Sequence, residues 1–371
     1  MALVLIGALS LGIWLYLLLA RGGFWRMRVA AAPSPGRRGA ASVTVVVPAR
    51  NEAAVVGRAM ASLAAQQYAG EFRVVLVDDA SEDGTADAAR AAAPGVEVLT
   101  AGPLPAGWGG KMWAVSQGVA AADSEYLLLT DADIVHPPDS VASLVARAGE
   151  GGYDLVSYMV RLRCVTAAEQ ALIPAFVFFF FLLYPPEWIA DPGRGMAGAA
   201  GGCMLIRREA LERIGGIARI RGELIDDCAL ARAVKGSGGR VWLGLGDRVH
   251  SIREYGTFGE IGQMISRSAY TQLGYSPVVL LGTLLGLGIT YLAPPLLTLA
   301  LPQGAAKGMG ALAWLIMTGT YWQAVRYYGR AWFWAPLLPL IAVFYLGATV
   351  HSAAMHYLGR GGMWKGRTAA S

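Results

Sequence analysis

Residues 126–133 read Tyr-Leu-Leu-Leu-Thr-Asp-Ala-Asp, an apolar run of strand length that breaks into carboxylates. Asp131 and Asp133 are separated only by Ala132. On an extended segment residues i and i+2 project to the same side. Two carboxylates held that way repel each other and lose hydration, so a cation or several donors must neutralise them. A hard divalent cation bound to a diphosphate is the natural occupant, and Mg2+ or Mn2+ is the expected cofactor. Mg2+ keeps several waters and takes only one or two protein carboxylates. A bare Asp-x-Asp also arises by chance in loops and helix caps, so its position in the chain decides its meaning.

Working outward, residues 43–47 (VTVVV) form a β-branched run followed by Pro48-Ala49-Arg50-Asn51-Glu52 and a helical pattern to about Gln67. Residues 73–77 (RVVLV) repeat the theme and end in Asp78-Asp79, after which an Ala-rich helix begins with Thr85 or Ser81 as its expected N-cap. Residues 96–99 and 126–130 complete four strands. Near-continuous apolar strands alternating with helices predict a parallel α/β sheet covered on both faces. Ligands bind such sheets at the carboxyl ends of the strands. Residues 48–52, 78–81 and 131–133 all fall there. No G-x-G-x-x-G follows the first strand and no G-x-x-x-x-G-K-[ST] occurs, which disfavours a dinucleotide fold or a P-loop.

Further candidates follow from residue chemistry. Asp79 can accept from a base N–H or a ribose hydroxyl, or cap the next helix; Asp78 reads as structural. Glu52 suits ribose hydroxyls or the N-terminus of its own helix. Gly109-Gly110-Lys111 opens a helix near Met112, where backbone N–H groups and an ammonium suit a phosphate. Gly201 and Gly202 permit close backbone approach to a ligand or tight strand packing. Asp226-Asp227 opens an Ala/Leu helix; such acids cap helices, or one of them removes the proton of an attacking hydroxyl. Arg267 can neutralise a diphosphate or bind lipid phosphate. His250 reads as structural or as an extra metal ligand.

The chain has 371 residues, 55% hydrophobic and only 15% charged, with a net charge of +5. No aromatic-interleaved basic patch indicates nucleic acid. Arg21, Arg26, Arg28, Arg37 and Arg38 instead follow the uncharged run 2–20, the pattern of a cytoplasmic membrane face. Three cysteines, Cys164, Cys203 and Cys228, form no C-x-x-C pair, so neither a disulfide framework nor a zinc site is expected. Residues 2–20 are expected to be a retained anchor rather than a cleaved signal peptide. Residues 277–301, 309–325 and 332–353 are three further candidate spans, the first kinked by Pro294 and Pro295. Three spans leave Arg360, Lys365 and Arg367 outside, against the positive-inside tendency.

The ordered set VVVPARNE, VDDAS, GK, LLLTDAD, AAGGCMLIRR and LIDD resembles the family 2 glycosyltransferases with the GT-A fold, over about residues 43–235. AEQALIPAFVFFF, AAGGCMLIRREAL, IDDCALA and RSAYTQLGYS resemble, more closely, the bacterial hopanoid-associated glycosyltransferases. The resemblance implies an α/β fold: a GT-A nucleotide-diphospho-sugar transferase domain, a Rossmann-like mixed sheet, with N- and C-terminal transmembrane helices. It implies that Pro48, Ala49 and Glu52 line the nucleotide, that Asp79 holds the base, and that Lys111, Asp131, Asp133 and Arg267 belong to the donor site. Asp133 matches the metal ligand and Asp227 the catalytic base, with Gly201, Gly202 and Asp226 on the acceptor side. Two departures stand out. Asp226 replaces the family's glutamate, and the Gln-x-x-Arg-Trp motif of processive members is missing, since Gln263 and Arg267 are one residue too far apart and Ser268 replaces Trp. Transfer of a single sugar is therefore expected.

Asp133 and Asp227 must share one substrate, so the apolar run 171–190 between them is expected to lie in the interface or line an acceptor groove rather than span the bilayer. The expected organisation is an anchor at 1–22, a glycosyltransferase domain at 40–260 and interfacial and membrane helices at 261–371. The expected activity is inverting transfer from a nucleotide-sugar to a lipid hydroxyl, such as that of a hopanoid, at the inner membrane with the catalytic domain cytoplasmic. The rivals are a nucleotidyltransferase on a related fold and a non-catalytic lipid-binding scaffold. Nothing in the sequence fixes the oligomeric state.

Overall fold

The computed structural model describes residues 1–31 and 41–361 and, beyond them, only the backbone of 363–364 and 367–368. Arg37, Arg38, Lys365, the Arg367 side chain and the expected domain start at residue 40 lie outside the described residues. The chain divides into two compact units. One comprises Met1–Met27, Cys164–Glu187 and Tyr255–Gly361, the other Arg28–Arg163, Trp188–Glu254 and Gly362–Ser371.

The second unit is built on a mixed sheet of β1 (Val43–Ala49), β2 (Phe72–Asp78), β3 (Glu97–Thr100), β4 (Tyr126–Thr130), β5 (Ile134–Val135), β6 (Leu155–Arg161), β7 (Cys203–Arg207) and β8 (Val241–Ser251), in the order β3-β2-β1-β4-β7-β6-β8-β5. The four strands expected from the sequence pair in parallel. Every residue of β1 and β4 is buried, as a strand covered on both faces requires. Beyond β4 the sheet departs from an all-parallel arrangement, as the GT-A resemblance implies. β7 runs antiparallel to β4, with Thr130 opposite Cys203, and β6 runs antiparallel to β7. An apolar run specifies burial but not strand direction, which pairing decides. Pro48 is tolerated within β1 because the β4 register ends at Val46↔Leu129, leaving only β2 beside it.

Numbered along the chain, the α-helices are α1 (Ala2–Leu19), α2 (Ala53–Ala64), α3 (Thr85–Ala92), α4 (Gly110–Ala120), α5 (Ser140–Gly151), α6 (Ala167–Leu183), α7 (Pro186–Ala190), α8 (Arg208–Arg213), α9 (Asp226–Gly236), α10 (Phe258–Gln272), α11 (Pro277–Leu287), α12 (Ala293–Ala300), α13 (Ala305–Tyr327) and α14 (Leu338–Tyr357). In α2 the buried positions Val56, Ala59, Met60 and Leu63 follow the helical i, i+3, i+4, i+7 spacing and form one face. α4 lies close on the sheet because Gly118 has no side chain: a Cβ there would meet Val46 Cγ1 at 2.4 Å and Val77 Cγ2 at 3.0 Å. The N-cap of α3 is Gly84, at φ 84°, and neither Thr85 nor Ser81. Thr85 is instead the first helical residue, and its hydroxyl accepts from the Glu52 N–H at 2.8 Å.

The first unit gathers α1, α6 and α10 to α14. α6 opens with a capping box in which Thr166 and Glu169 satisfy each other's backbone N–H groups. Glu169 is fully buried, and its carboxylate also accepts from Val165 N–H at 2.7 Å and Tyr255 N–H at 2.9 Å. Within this unit Phe178 packs between Phe24 and Tyr321, at 5.2 and 5.3 Å between ring centroids. A π-turn, Gly288–Leu292, precedes the Pro294-Pro295 pair where the kink is expected. Proline 294 has no N–H to offer the Thr290 carbonyl four residues earlier. Trp14 Nε1 of α1 donates to that carbonyl at 2.7 Å.

Among the described residues four stretches are long and apolar enough to cross a membrane: Ala2–Leu19, Ala167–Ala190, Pro277–Ala300 and Trp332–Tyr357. The expected segment 309–325 falls in α13, which is not among them; Lys307 and Arg326 lie near its ends. The protein itself buries 61% of the apolar window in Ala167–Ala190 but only 11% of that in Pro277–Ala300. The former is largely covered by its own chain, and the latter presents most of its apolar surface outward.

Candidate active site

The strand ends of the second unit converge three groups of polar residues. The loops after β1 and β2 lock to each other first. Asn51 N–H donates to Ser81 Oγ at 2.9 Å, Glu82 N–H to Asn51 Oδ1 at 3.0 Å, and Ala53 N–H to Asp83 Oδ2 at 2.9 Å. Asn51 and Ala80 both adopt φ 51°, a left-handed conformation that costs energy outside glycine and that such cross-loop bonds sustain. Asp79, almost fully buried at the end of β2, pairs with Arg50 at 3.7 Å. Asp78 is also buried, and its carboxylate accepts from Ser81 N–H at 3.2 Å.

The second group surrounds Asp133. Ser251 Oγ donates to Asp133 Oδ2 at 2.6 Å, and Arg253 Nε lies 3.3 Å from the same oxygen. Arg253 also reaches Glu52 Oε1 at 2.7 Å, joining the first strand's loop to the Asp-x-Asp segment. Ser251 and Arg253, at the end of β8, are absent from the sequence-based site; they stand 118 and 201 residues from Asp133 and Glu52, respectively, and no local pattern marks them.

The third group holds the catalytic candidates. Lys111, in the first turn of α4, places Nζ 3.0 Å from Asp131 Oδ1 and 3.3 Å from Asp226 Oδ2. Asp227, in the first turn of α9, accepts from Gly201 N–H at 2.9 Å through Oδ2 and from Cys228 N–H at 2.7 Å through Oδ1. Burial alone would lower the Lys111 pKa, but Asp131, Asp226 and Asp227 outweigh it and hold the ammonium well above the lysine range. Burial and then the neighbouring Asp226 push the Asp227 carboxyl up to about 6, opposed by the Cys228 N–H, Lys111 and the Gly201 N–H.

Residues 44–215 match the family described as Glycosyl transferase family 2. The chain carries a family 2 glycosyltransferase domain. Among curated proteins it is 32% identical over 123 residues to the undecaprenyl-phosphate 4-deoxy-4-formamido-L-arabinose transferase of Aeromonas hydrophila subsp. hydrophila, covering 33% of this chain and 37% of that protein. The enzyme of the same name from Shewanella sediminis is 32% identical over 130 residues, covering 34% and 39%. The chain thus matches well under half the length of these relatives. A solved mannosyltransferase from Pyrobaculum calidifontis, in complex with GDP-Man and Mn2+, shares the fold at a TM-score of 0.60 and 19% identity, covering 97% of this chain and 99% of that one. The fold of the glycosyltransferase domain is GT-A.

Within the second unit, Lys111, Asp131, Gly201, Asp226 and Asp227 meet in one cluster, and Glu52 and Asp133 meet through Arg253. Pro48 and Ala49 end β1, and the Ala49 carbonyl accepts from Asp79 N–H at 2.8 Å. Gly202 is packed tightly: a Cβ would meet Val160 at 3.1 Å and Ile134 at 3.4 Å. His250 Nδ1 lies 3.0 Å from the Arg248 carbonyl oxygen. Arg267 belongs to the other unit, exposed on α10.

The Asp131 and Asp133 carboxylates fit a divalent cation. Each has one oxygen engaged, by Lys111 or by Ser251 and Arg253, and among the described residues the other oxygen of each meets no protein hydrogen-bond or ion-pair partner. Among the described residues no three His, Cys, Asp or Glu side chains gather into a closed cage. Two carboxylates and no cage suit Mg2+ or Mn2+ completed by water and a diphosphate.

Proposed function

We propose that this domain transfers a single sugar from a nucleotide-sugar to a membrane lipid hydroxyl, with inversion and with a divalent cation. The observation that carries the reading is the cluster in which Asp227, its pKa raised, stands beside a lysine that also bridges to Asp131. Glu52 and Asp79 orient the nucleoside, and Asp131 and Asp133 hold the cation, which when bound neutralises the departing diphosphate. Asp227 accepts the proton of the acceptor hydroxyl as its oxygen bonds to the anomeric carbon and the carbon–diphosphate bond breaks. The Lys111 ammonium keeps Asp227 ionised and adds positive charge beside the diphosphate. The exposed apolar helices support a bilayer location, and Arg267, exposed on α10 of the unit that carries them, suits a lipid phosphate. Gly201, Gly202 and Asp226 face the acceptor in this reading.

The resemblance of residues 168–180 and 199–211 to hopanoid-associated enzymes supports a polycyclic lipid alcohol as acceptor, and a cytoplasmic active face at the inner membrane. The names of the curated relatives point instead to a lipid phosphate. A phosphate oxygen is already ionised at neutral pH and needs no base, so assays with a lipid alcohol and a lipid phosphate side by side separate the two.

The pH dependence of turnover tests the base. A carboxylate that must be ionised, with its pKa raised to about 6, gives an acid limb there: the rate falls as pH drops through 6 and is flat above it. A profile flat between about pH 5 and 7.5 removes Asp227 from the base role.

A further inference from the structure

Behind the Asp-x-Asp segment lies a buried chain of hydrogen bonds that the reaction outlined above does not use. His136 is 2% exposed, below the turn that follows β5. Its Nε2 lies 3.0 Å from Thr130 Oγ1 and its Nδ1 lies 3.1 Å from Ser140 Oγ. Thr130, the residue before Asp131, donates its hydroxyl proton to the Gly202 carbonyl at 2.7 Å. That proton can be given only once, so at its contact with the imidazole the Thr130 oxygen is the acceptor. The imidazole Nε2 therefore carries the hydrogen, and Nδ1 accepts from Ser140. One direction satisfies the whole chain: Ser140 to His136, His136 to Thr130, Thr130 to Gly202. It requires a neutral imidazole. Burial and, second, His250 lower the His136 pKa to about 4, which agrees with that form.

The chain ends on the turn that holds Asp227. Ser157 fixes the other side of that turn, accepting from Ala200 N–H at 2.9 Å and lying 3.1 Å from the Ala200 carbonyl. Val160 and Ile134 close the space around Gly202. Between these two anchors, Gly201 N–H donates to Asp227 at 2.9 Å.

We infer that His136 is a positioning residue for the transfer reaction: through the Thr130 hydroxyl it fixes the Gly201-Gly202 turn and so sets the orientation of the Asp227 carboxylate. This rests on Asp227 being the base. The same residues tie the turn to Asp131, since Thr130 and Asp131 are adjacent, so that donor and acceptor sides are held in one register.

Three variants test it: His136→Phe, His136→Gln and Thr130→Val. His136→Phe and Thr130→Val should each lower kcat about 10- to 100-fold, with donor KM and nucleotide affinity unchanged, as a misplaced reacting group does. Because the Gly201 N–H lowers the Asp227 pKa, loosening it should also move the acid limb upward from about 6. The double variant should be no slower than either single one, and His136→Gln, which keeps a donor for Thr130, should recover most of the rate. Thr130→Val, nearly isosteric, carries the test alone if the phenylalanine variant does not fold. Wild-type kcat and an unshifted limb in Thr130→Val, while Asp227→Asn is inactive, would overturn the positioning role alone. An active Asp227→Asn would overturn the base assignment beneath it.

Discussion

Replacing Asp227 with Asn is expected to reduce transfer to the lipid acceptor by about 10²- to 10⁴-fold, the range for loss of a positioned general base. Nucleotide affinity, measured by calorimetry with Mg2+ or Mn2+, should change little. Asparagine is nearly isosteric, and its amide oxygen can still accept from either the Gly201 N–H or the Cys228 N–H that the carboxylate now satisfies. What it cannot do is take a proton. A variant that loses donor binding and turnover together would assign Asp227 to the donor site, and unchanged turnover would remove its role in chemistry.

The second large effect is expected from Lys111→Met. The ammonium separates Asp131 and Asp226, each within 3.3 Å, and lowers the Asp227 pKa against burial. Without it, three carboxylates face one another with no cation among them, and Asp227 is harder to ionise. For a group whose pKa is already raised to about 6, losing a cation raises it further. The acid limb of the rate profile should therefore move upward, toward neutrality. Turnover at pH 7 should fall about 10²-fold or more, the scale of losing one preorganised charge at a developing anion. Lys111→Arg, which keeps the charge, should retain the position of the limb. A limb that stays near 6 in Lys111→Met would mean that Lys111 does not govern Asp227.

The readable part of the fold lay where one physical signal decides it. β1 and β4 are buried at every position, so their apolar runs could hardly be anything but central strands. Asp131, Asp79 and Glu52 follow the ends of β4, β2 and β1, where the apolar runs of the sequence place them and where such sheets bind ligands. The N-cap of α3 was misread because Ser81 and Thr85 are engaged across the chain, with Asn51 and Glu52, rather than by their own helix. Arg253 and Ser251 carry no signal of their own; only the sheet brings the end of β8 to Asp133. Lys111 was expected near a phosphate, and its pairing with Asp131 and Asp226 depends on two helix N-termini separated by more than a hundred residues. His136 looks like an ordinary loop residue until Thr130 and Ser140 are seen on either side of it.

The most direct measurement is product analysis with the full chain in membranes, a set of nucleotide-sugars and a lipid alcohol. The expected result is release of nucleoside diphosphate together with a lipid product heavier by one sugar, of inverted anomeric configuration, and loss of both in Asp227→Asn. Release of pyrophosphate, or lipid glycosylation that survives in Asp227→Asn, would contradict it.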